Sequence, residues 1–278
     1  MSKNLFLLLF LIWIVFLFPN LSVSAQPGFS RQAGRFHFRP GSVAGDSGRW
    51  LIWLPNWFSV GSLQGWYGGA VNRYGLGALT EWMAGGHIRS AAHGIRWDAV
   101  TVGDAVHRRT NGQVGLVRAL SRSVWVGTGL GFSLTQVRGY GTSASPTSHL
   151  FLGGLVGDRT VWGMSWENPQ ALLTQKGWYG NNPMRVRAGI AYSFSSKLCL
   201  YGGVDWERVA SAAALIRGTY QLNREWSVEL GWGWLPDQLL VGVHRRLRGG
   251  LVGLGFSQDP VLGPAFSFFS TWHRDKKN

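Results

Sequence analysis

The feature that most constrains this chain is a two-residue alternation of large apolar with small or polar side chains, repeated in segment after segment. Val124, Val126, Thr128, Leu130, Phe132 and Leu134 alternate with Trp125, Gly127, Gly129, Gly131, Ser133 and Thr135. Val186, Ala188, Ile190, Tyr192 and Phe194 alternate with Arg185, Arg187, Gly189, Ala191 and Ser193. Trp226, Val228, Leu230, Trp232 and Trp234 oppose Ser227, Glu229, Gly231 and Gly233. Successive side chains of a strand point to opposite faces, so each segment carries one greasy face and one small or polar face. Gly-rich low-complexity sequence would not hold that phase over so many segments.

A soluble β-sandwich also alternates, and three further features choose a membrane barrel. Trp162, Trp166, Trp206, Trp234 and Trp272 sit near segment ends, as interfacial girdles require. The segments run about nine to twelve residues, enough for a tilted span and longer than common soluble strands. Composition agrees with both: only 14% of residues are charged, against a usual quarter, while Gly (40) and Trp (16) are abundant. Such a chain lacks the material for a conventional polar surface.

The third feature is the connections. Strands are predicted near 264–272, 250–257, 238–246, 226–234, 212–222, 197–207, 185–195, 159–167, 147–157, 123–138 and 112–121. Three more lie near 91–102, 78–89 and 62–72. If the C-terminus is periplasmic, one rim has short turns at Arg246–Gly249, Asn223–Glu225, Ser195–Lys197, Gly157–Arg159 and Ser121–Ser123. The other rim receives Gly139–Pro146, Asn168–Met184 and Gly103–Asn111, read as longer loops. That asymmetry belongs to outer-membrane barrels. The expected fold class is all-β: a transmembrane antiparallel β-barrel of about 14 strands, in the range of about 12 to 14.

The N-terminus reads as an export signal. Lys3 precedes an apolar run from Leu5 to Phe18, short for a membrane helix, and Val23-Ser24-Ala25 gives the small residues of a cleavage site. Cleavage is expected after Ala25. The organisation that follows is a signal peptide over 1–25, a periplasmic or lumenal segment over 26–60 and the barrel over 61–278. The expected location is the outer membrane of a Gram-negative cell, with outer-membrane lipid as the surrounding partner.

The formal charge of +14 raises nucleic acid as a partner. The Arg residues are scattered singly through apolar stretches without a nucleic-acid motif, so none is expected. Cys199 is the single cysteine, which excludes an internal disulfide, and no metal-ligand spacing or cofactor motif is present. Ser148-His149 and Asp237 with His244 are the pairings that catalysis would need, and neither forms a nucleophile, base and orienter set. No enzyme activity is expected. The inward phase instead collects Arg185, Arg187, Arg217 and Arg246 with Asp205, Glu207 and Glu229. These form a candidate lumenal charge ladder, either stiffening a filled barrel or lining an anion-selective path. Trp125, Tyr201 and Phe269 face the same way and fit a lumen filling or a pocket for a hydrophobic solute.

The chain resembles the FadL-type barrels, nearest the PorV/PorQ-like proteins associated with type IX secretion. The resemblance rests on Gly127-Thr-Gly-Leu-Gly131 with Tyr140-Gly141, and on Trp162-Gly-Met-Ser-Trp-Glu-Asn-Pro169. Arg187-Ala-Gly-Ile-Ala-Tyr192, Asp259-Pro-Val-Leu-Gly263 and the closing Phe266-x-Phe268-x-Ser270-x-Trp272 complete it. Leu54-Pro55-Asn56-Trp57 stands where such proteins carry Asn-Pro-Ala, so no ligand residue is carried over. The resemblance implies an accessory role in secretion or surface assembly, with proteins of such a complex as partners. The alternative is passive transport of small solutes, hydrophobic or anionic.

Overall fold

The computed structural model describes residues 64 to 274 apart from 74–75, 77–79, 90–92, 122, 170–183, 208–211, 235–237, 249 and 260–262. The export signal, the cleavage after Ala25 and the 26–60 segment lie outside the described residues. Fourteen strands run in chain order. They are β1 Gln64–Arg73, β2 Thr80–Arg89, β3 His93–Gly103, β4 His107–Ala119, β5 Val124–Val137, β6 Gly141–Val156 and β7 Thr160–Glu167. Then come β8 Arg185–Ser193, β9 Leu198–Glu207, β10 Ala213–Gln221, β11 Trp226–Trp234, β12 Gln238–Leu247, β13 Gly250–Asp259 and β14 Gly263–Arg274. Each pairs antiparallel with its neighbour in sequence, and β1 pairs with β14 from Gln64↔Arg274 to Arg73↔Ala265. The sheet closes on itself, so within the barrel wall every strand is paired on both sides and its ladders are satisfied without water.

The alternation resolves into an outer and an inner face. Outward side chains are large, apolar and exposed, among them Leu130, Ile190, Val204, Leu230, Val243 and Leu254. Lipid is the medium that accepts such a belt around a whole molecule. Two aromatic girdles bound it. Trp66, Trp226, Trp272, Tyr192 and Phe194 lie toward the rim carrying the chain ends of the barrel. Trp82, Trp206, Trp232, Trp234 and Phe266 lie toward the other. Just past that second girdle the outer face turns polar: Asn72 Nδ2 donates to Thr80 Oγ1 (2.9 Å), and the hydroxyls of Thr101 and Thr110 pair at 3.1 Å.

The rim with the chain ends carries tight hairpins, such as Gly157 to Arg159 and Ser195 to Lys197. Ser121, Ser195 and Asn223 each cap a turn by accepting two backbone N–H bonds on a side-chain oxygen.

On the opposite rim two expected loops are strands. Gly139–Pro146 is not a loop: the turn is only Arg138 to Tyr140, and β6 pairs with β5 from Gly141 onward. Gly139 and Gly141 adopt positive φ (83° and 96°), which lets the chain reverse so tightly. Gly103–Asn111 is likewise shortened, because β4 begins at His107. Asp104 Oδ1 accepts from Val106 N (2.8 Å) and His107 N (3.0 Å), closing an Asx turn. Periodicity could not show these extensions, since past the lipid neither face needs apolar groups. β6 meets β7 only from His149, so residues 141–148 project by roughly 25 Å along the strand. Pro146 falls in that projection, where β6 pairs with no described strand on its β7 side, so among the described strands no ladder bond is forfeited.

Candidate functional site: the inner wall

The inner face alternates apolar clusters with polar nodes. Val161, Ala191, Tyr201, Leu215 and Leu240 form one buried cluster across β7 to β12. Val71, Met83, Leu251 and Phe269 form a second across β1, β2, β13 and β14, and Val117, Trp125 and Phe151 a third. Inward glycines seat the rings of these clusters. A Cβ on Gly189 would lie 2.6 Å from the Tyr201 hydroxyl, and Cβ atoms on Gly85 and Gly253 would run into the rings of Tyr67 and Phe269. These three inward glycines therefore leave space for a neighbouring strand's aromatic side chain, while Gly129, Gly131 and Gly231 instead lie close to a neighbouring strand's backbone.

Most of the candidate ladder assembles on β7 to β11. Arg187 bridges two carboxylates, with Nη1 2.6 Å from Glu167 Oε1 and Nε 3.3 Å from Asp205 Oδ2. Arg185 holds Asp205 with a two-pronged contact, its Nε donating to Oδ1 at 2.7 Å and its Nη2 to Oδ2. Two strands on, Arg217 Nη1 donates to Glu229 Oε1 at 2.8 Å, and its guanidinium lies 5.6 Å over the Tyr201 ring. His244 Nε2 stands 3.7 Å from the other Glu229 oxygen.

The remaining two ladder candidates are not brought in. Glu207 faces Arg185 in register, but Arg185 reaches diagonally to Asp205 instead. Arg246 pairs with Leu251 across the strand, and its backbone N–H donates to Glu225 O at 2.6 Å. Its side chain meets no carboxylate among the described residues.

Sequence reasoning missed Glu167 and a second node altogether. On β3, Arg96 Nη2 lies 3.0 Å from Asp98 Oδ1 and 3.5 Å from the Tyr67 hydroxyl, while Gln113 Nε2 donates to both Asp98 oxygens at 2.7 Å. The signal was present in the i, i+2 spacing Arg96-x-Asp98, which puts both groups on one face. Beside this node lies a cavity of about 40 Å³ against Gly115, Gly127, Gly129, His149 and Phe151, with room for a few waters.

Among the described side chains, charge on the inner face is balanced. Setting histidine aside, the described inward cations are Arg96, Arg109, Arg185, Arg187, Arg217 and Arg246. The described inward carboxylates are Glu81, Asp98, Glu167, Asp205, Glu207 and Glu229, one for each. The catalytic pairings fare differently. Ser148 and His149 are consecutive in β6 and so point to opposite faces. Asp237 lies outside the described residues, and His244 sits against Glu229. No group of three or more His, Cys, Asp or Glu among the described residues is placed to hold a metal ion.

A closed antiparallel barrel of fourteen strands with an apolar belt, two girdles and a polar interior is a transmembrane barrel of the outer-membrane type. Solved structures of the same fold include FadL-type barrels. The Pseudomonas putida toluene transporter TodX aligns with a TM-score of 0.58 at 8% identity, over 87% of this chain and 96% of that one. The CymD monoaromatic hydrocarbon channel aligns at 0.55 and 10% identity, over 77% and 89%. A Pseudomonas aeruginosa FadL homologue aligns at 0.53 and 10% identity, over 76% and 89%. No family model matches the chain, and no curated protein matches it.

Proposed function

We propose that the protein is a non-enzymatic outer-membrane barrel that passes small, uncharged or hydrophobic solutes passively. The observation that carries this reading is the neutralised inner wall. Each buried ladder Arg is tied to a carboxylate, and the polar nodes are separated by apolar clusters. A path selective for anions needs cations whose field is not cancelled within a few ångströms. On this reading Arg185, Arg187 and Arg217 with Asp205 and Glu229 stiffen the wall rather than select ions, and Glu207 and Arg246 stand beside the ladder. Two barrels of the same fold, a toluene transporter and a monoaromatic hydrocarbon channel, support the solute class by analogy.

The accessory role in secretion or surface assembly, implied by the PorV/PorQ-like resemblance, is the weaker reading, because the fold neighbours named above include a transporter and a channel. One experiment separates the two. The mature chain is refolded into liposomes and the entry of a monoaromatic hydrocarbon, a neutral sugar and a dianion of similar size is followed. Faster entry of the uncharged solutes supports transport. Faster entry of the dianion overturns it, and a barrel that passes nothing but co-purifies with a surface complex favours the accessory role.

A further inference from the structure

The described inner face is balanced, so the excess positive charge of the described residues lies outside it. Among the described residues it concentrates on the short-turn rim. Arg159, Lys197, Arg224, Arg245 and Arg248 are all exposed there, against Asp158 and Glu225. The opposite rim presents Arg108 and Arg138 against Asp104. Arg159, Lys197, Arg224 and Arg248 occupy the turns β6–β7, β8–β9, β10–β11 and β12–β13, which are successive around the barrel, and Arg245 stands near the end of β12. They form an arc, with adjacent turns roughly 10 Å apart at two strand spacings.

A second observation fixes the depth of that arc. Each of three turns lies a few residues beyond an outward aromatic of the lower girdle. Tyr192 and Phe194, packed edge to face at 4.7 Å, precede Lys197, and Tyr220 precedes Arg224. Arg245 lies 5.4 Å over the Trp226 ring. Interfacial aromatics mark the headgroup level, so these cations stand at the height of lipid phosphates. Among the described residues only Arg245 of the five makes an ion pair, with Glu225 at 3.5 Å, and both are exposed. The other four cations have no ion-pair partner among the described residues.

We infer that this arc is a binding collar for the anionic phospholipid headgroups of the leaflet facing the short-turn rim. The phosphates would meet the turn cations while the acyl chains lie along Tyr192, Phe194, Tyr220 and Trp226. A cation near an anionic membrane surface contributes enough to change association about fivefold. A collar of several therefore recruits anionic over zwitterionic lipid.

The test uses the mature chain in nanodiscs of phosphatidylcholine with a minority of phosphatidylglycerol, with lipids retained on extraction counted by native mass spectrometry. Phosphatidylglycerol should be enriched severalfold over its bulk share, and the enrichment should fall as salt rises. The variant Arg159→Gln/Lys197→Gln/Arg224→Gln/Arg248→Gln should lose it. These side chains are solvated turn residues, so folding should survive, and unchanged heat-modifiability on gels checks that. Equal retention of the two lipids by the wild type overturns the inference, as does enrichment that persists in the variant. So does soluble polyglutamate that binds the rim while lipid retention stays unselective, since the collar would then suit an acidic macromolecule. If the variant fails to fold, the salt dependence in the wild type decides.

Discussion

Arg217 and Glu229, on adjacent strands, meet at 2.8 Å with 2% and 1% of their side chains exposed. A pair so enclosed has little net value against an apolar substitute of equal size, yet breaking one side leaves a charge without its partner. Glu229→Ala should therefore cost about 3–5 kcal/mol in urea unfolding from detergent. Replacing both, as Arg217→Met/Glu229→Leu, should restore most of that loss. Equal losses in the single and the double variant would show that the pair is not coupled.

Glycine in the inner wall makes a second prediction. At Gly253 an added methyl group would meet the ring of Phe269, itself buried among Val71, Met83 and Leu251. Overpacking of this kind costs about 1–3 kcal/mol, so Gly253→Ala should lower the unfolding midpoint. Adding Phe269→Leu should give part of it back. A neutral Gly253→Ala would mean the ring moves freely, in conflict with its packing.

Lipid on the outer face has a depth-dependent signature. Leu230 and Leu254 stand at the middle of β11 and β13 and are 60% and 63% exposed. An Arg at either should cost about 2–4 kcal/mol in a bilayer, whereas an Arg at Tyr140, on the projecting hairpin, should cost close to nothing. Refolding titrations into lipid vesicles measure both.

The turn between β3 and β4 gives a pH prediction. Backbone N–H donors from His107 and Val106 hold the Asp104 carboxyl below the usual carboxylate range. A depressed folded-state value stabilises the turn above the ordinary aspartate range, and that support is lost as pH falls through the lower folded value. Hydrogen-exchange protection at Val106 and His107 should thus persist at neutral pH and collapse at strongly acidic pH. In Asp104→Asn the pH-dependent part should vanish.

How much of this was legible beforehand follows from where lipid imposes a rule. The spans of β8, β9 and β11 could be read to within about two residues because lipid on one side forces the alternation. The first three strands, harder to read, also fall where they were expected. The hairpin arms at 107–111 and 141–146 were invisible as strands, because outside the bilayer polar and small residues satisfy both faces. Within the site, alternation assigned Arg187, Arg217, Asp205 and Glu229 to one face, but partners depend on register and reach. Glu167 entered the ladder through the β7–β8 pairing, and Glu207 dropped out because Asp205 meets two guanidiniums. Neither outcome is a property of one strand's sequence.

The most direct measurement is a nitroxide scan of β11. With Cys199→Ala as background, single cysteines are placed from Trp226 to Trp234 in bilayers and probed with oxygen and with a water-soluble nickel chelate. Oxygen access should peak at 228, 230 and 232 and drop at 227, 229 and 231, with the chelate excluded from the first set. Access that varies smoothly along the strand, or chelate that reaches 230 freely, would mean that lipid does not cover the outer wall.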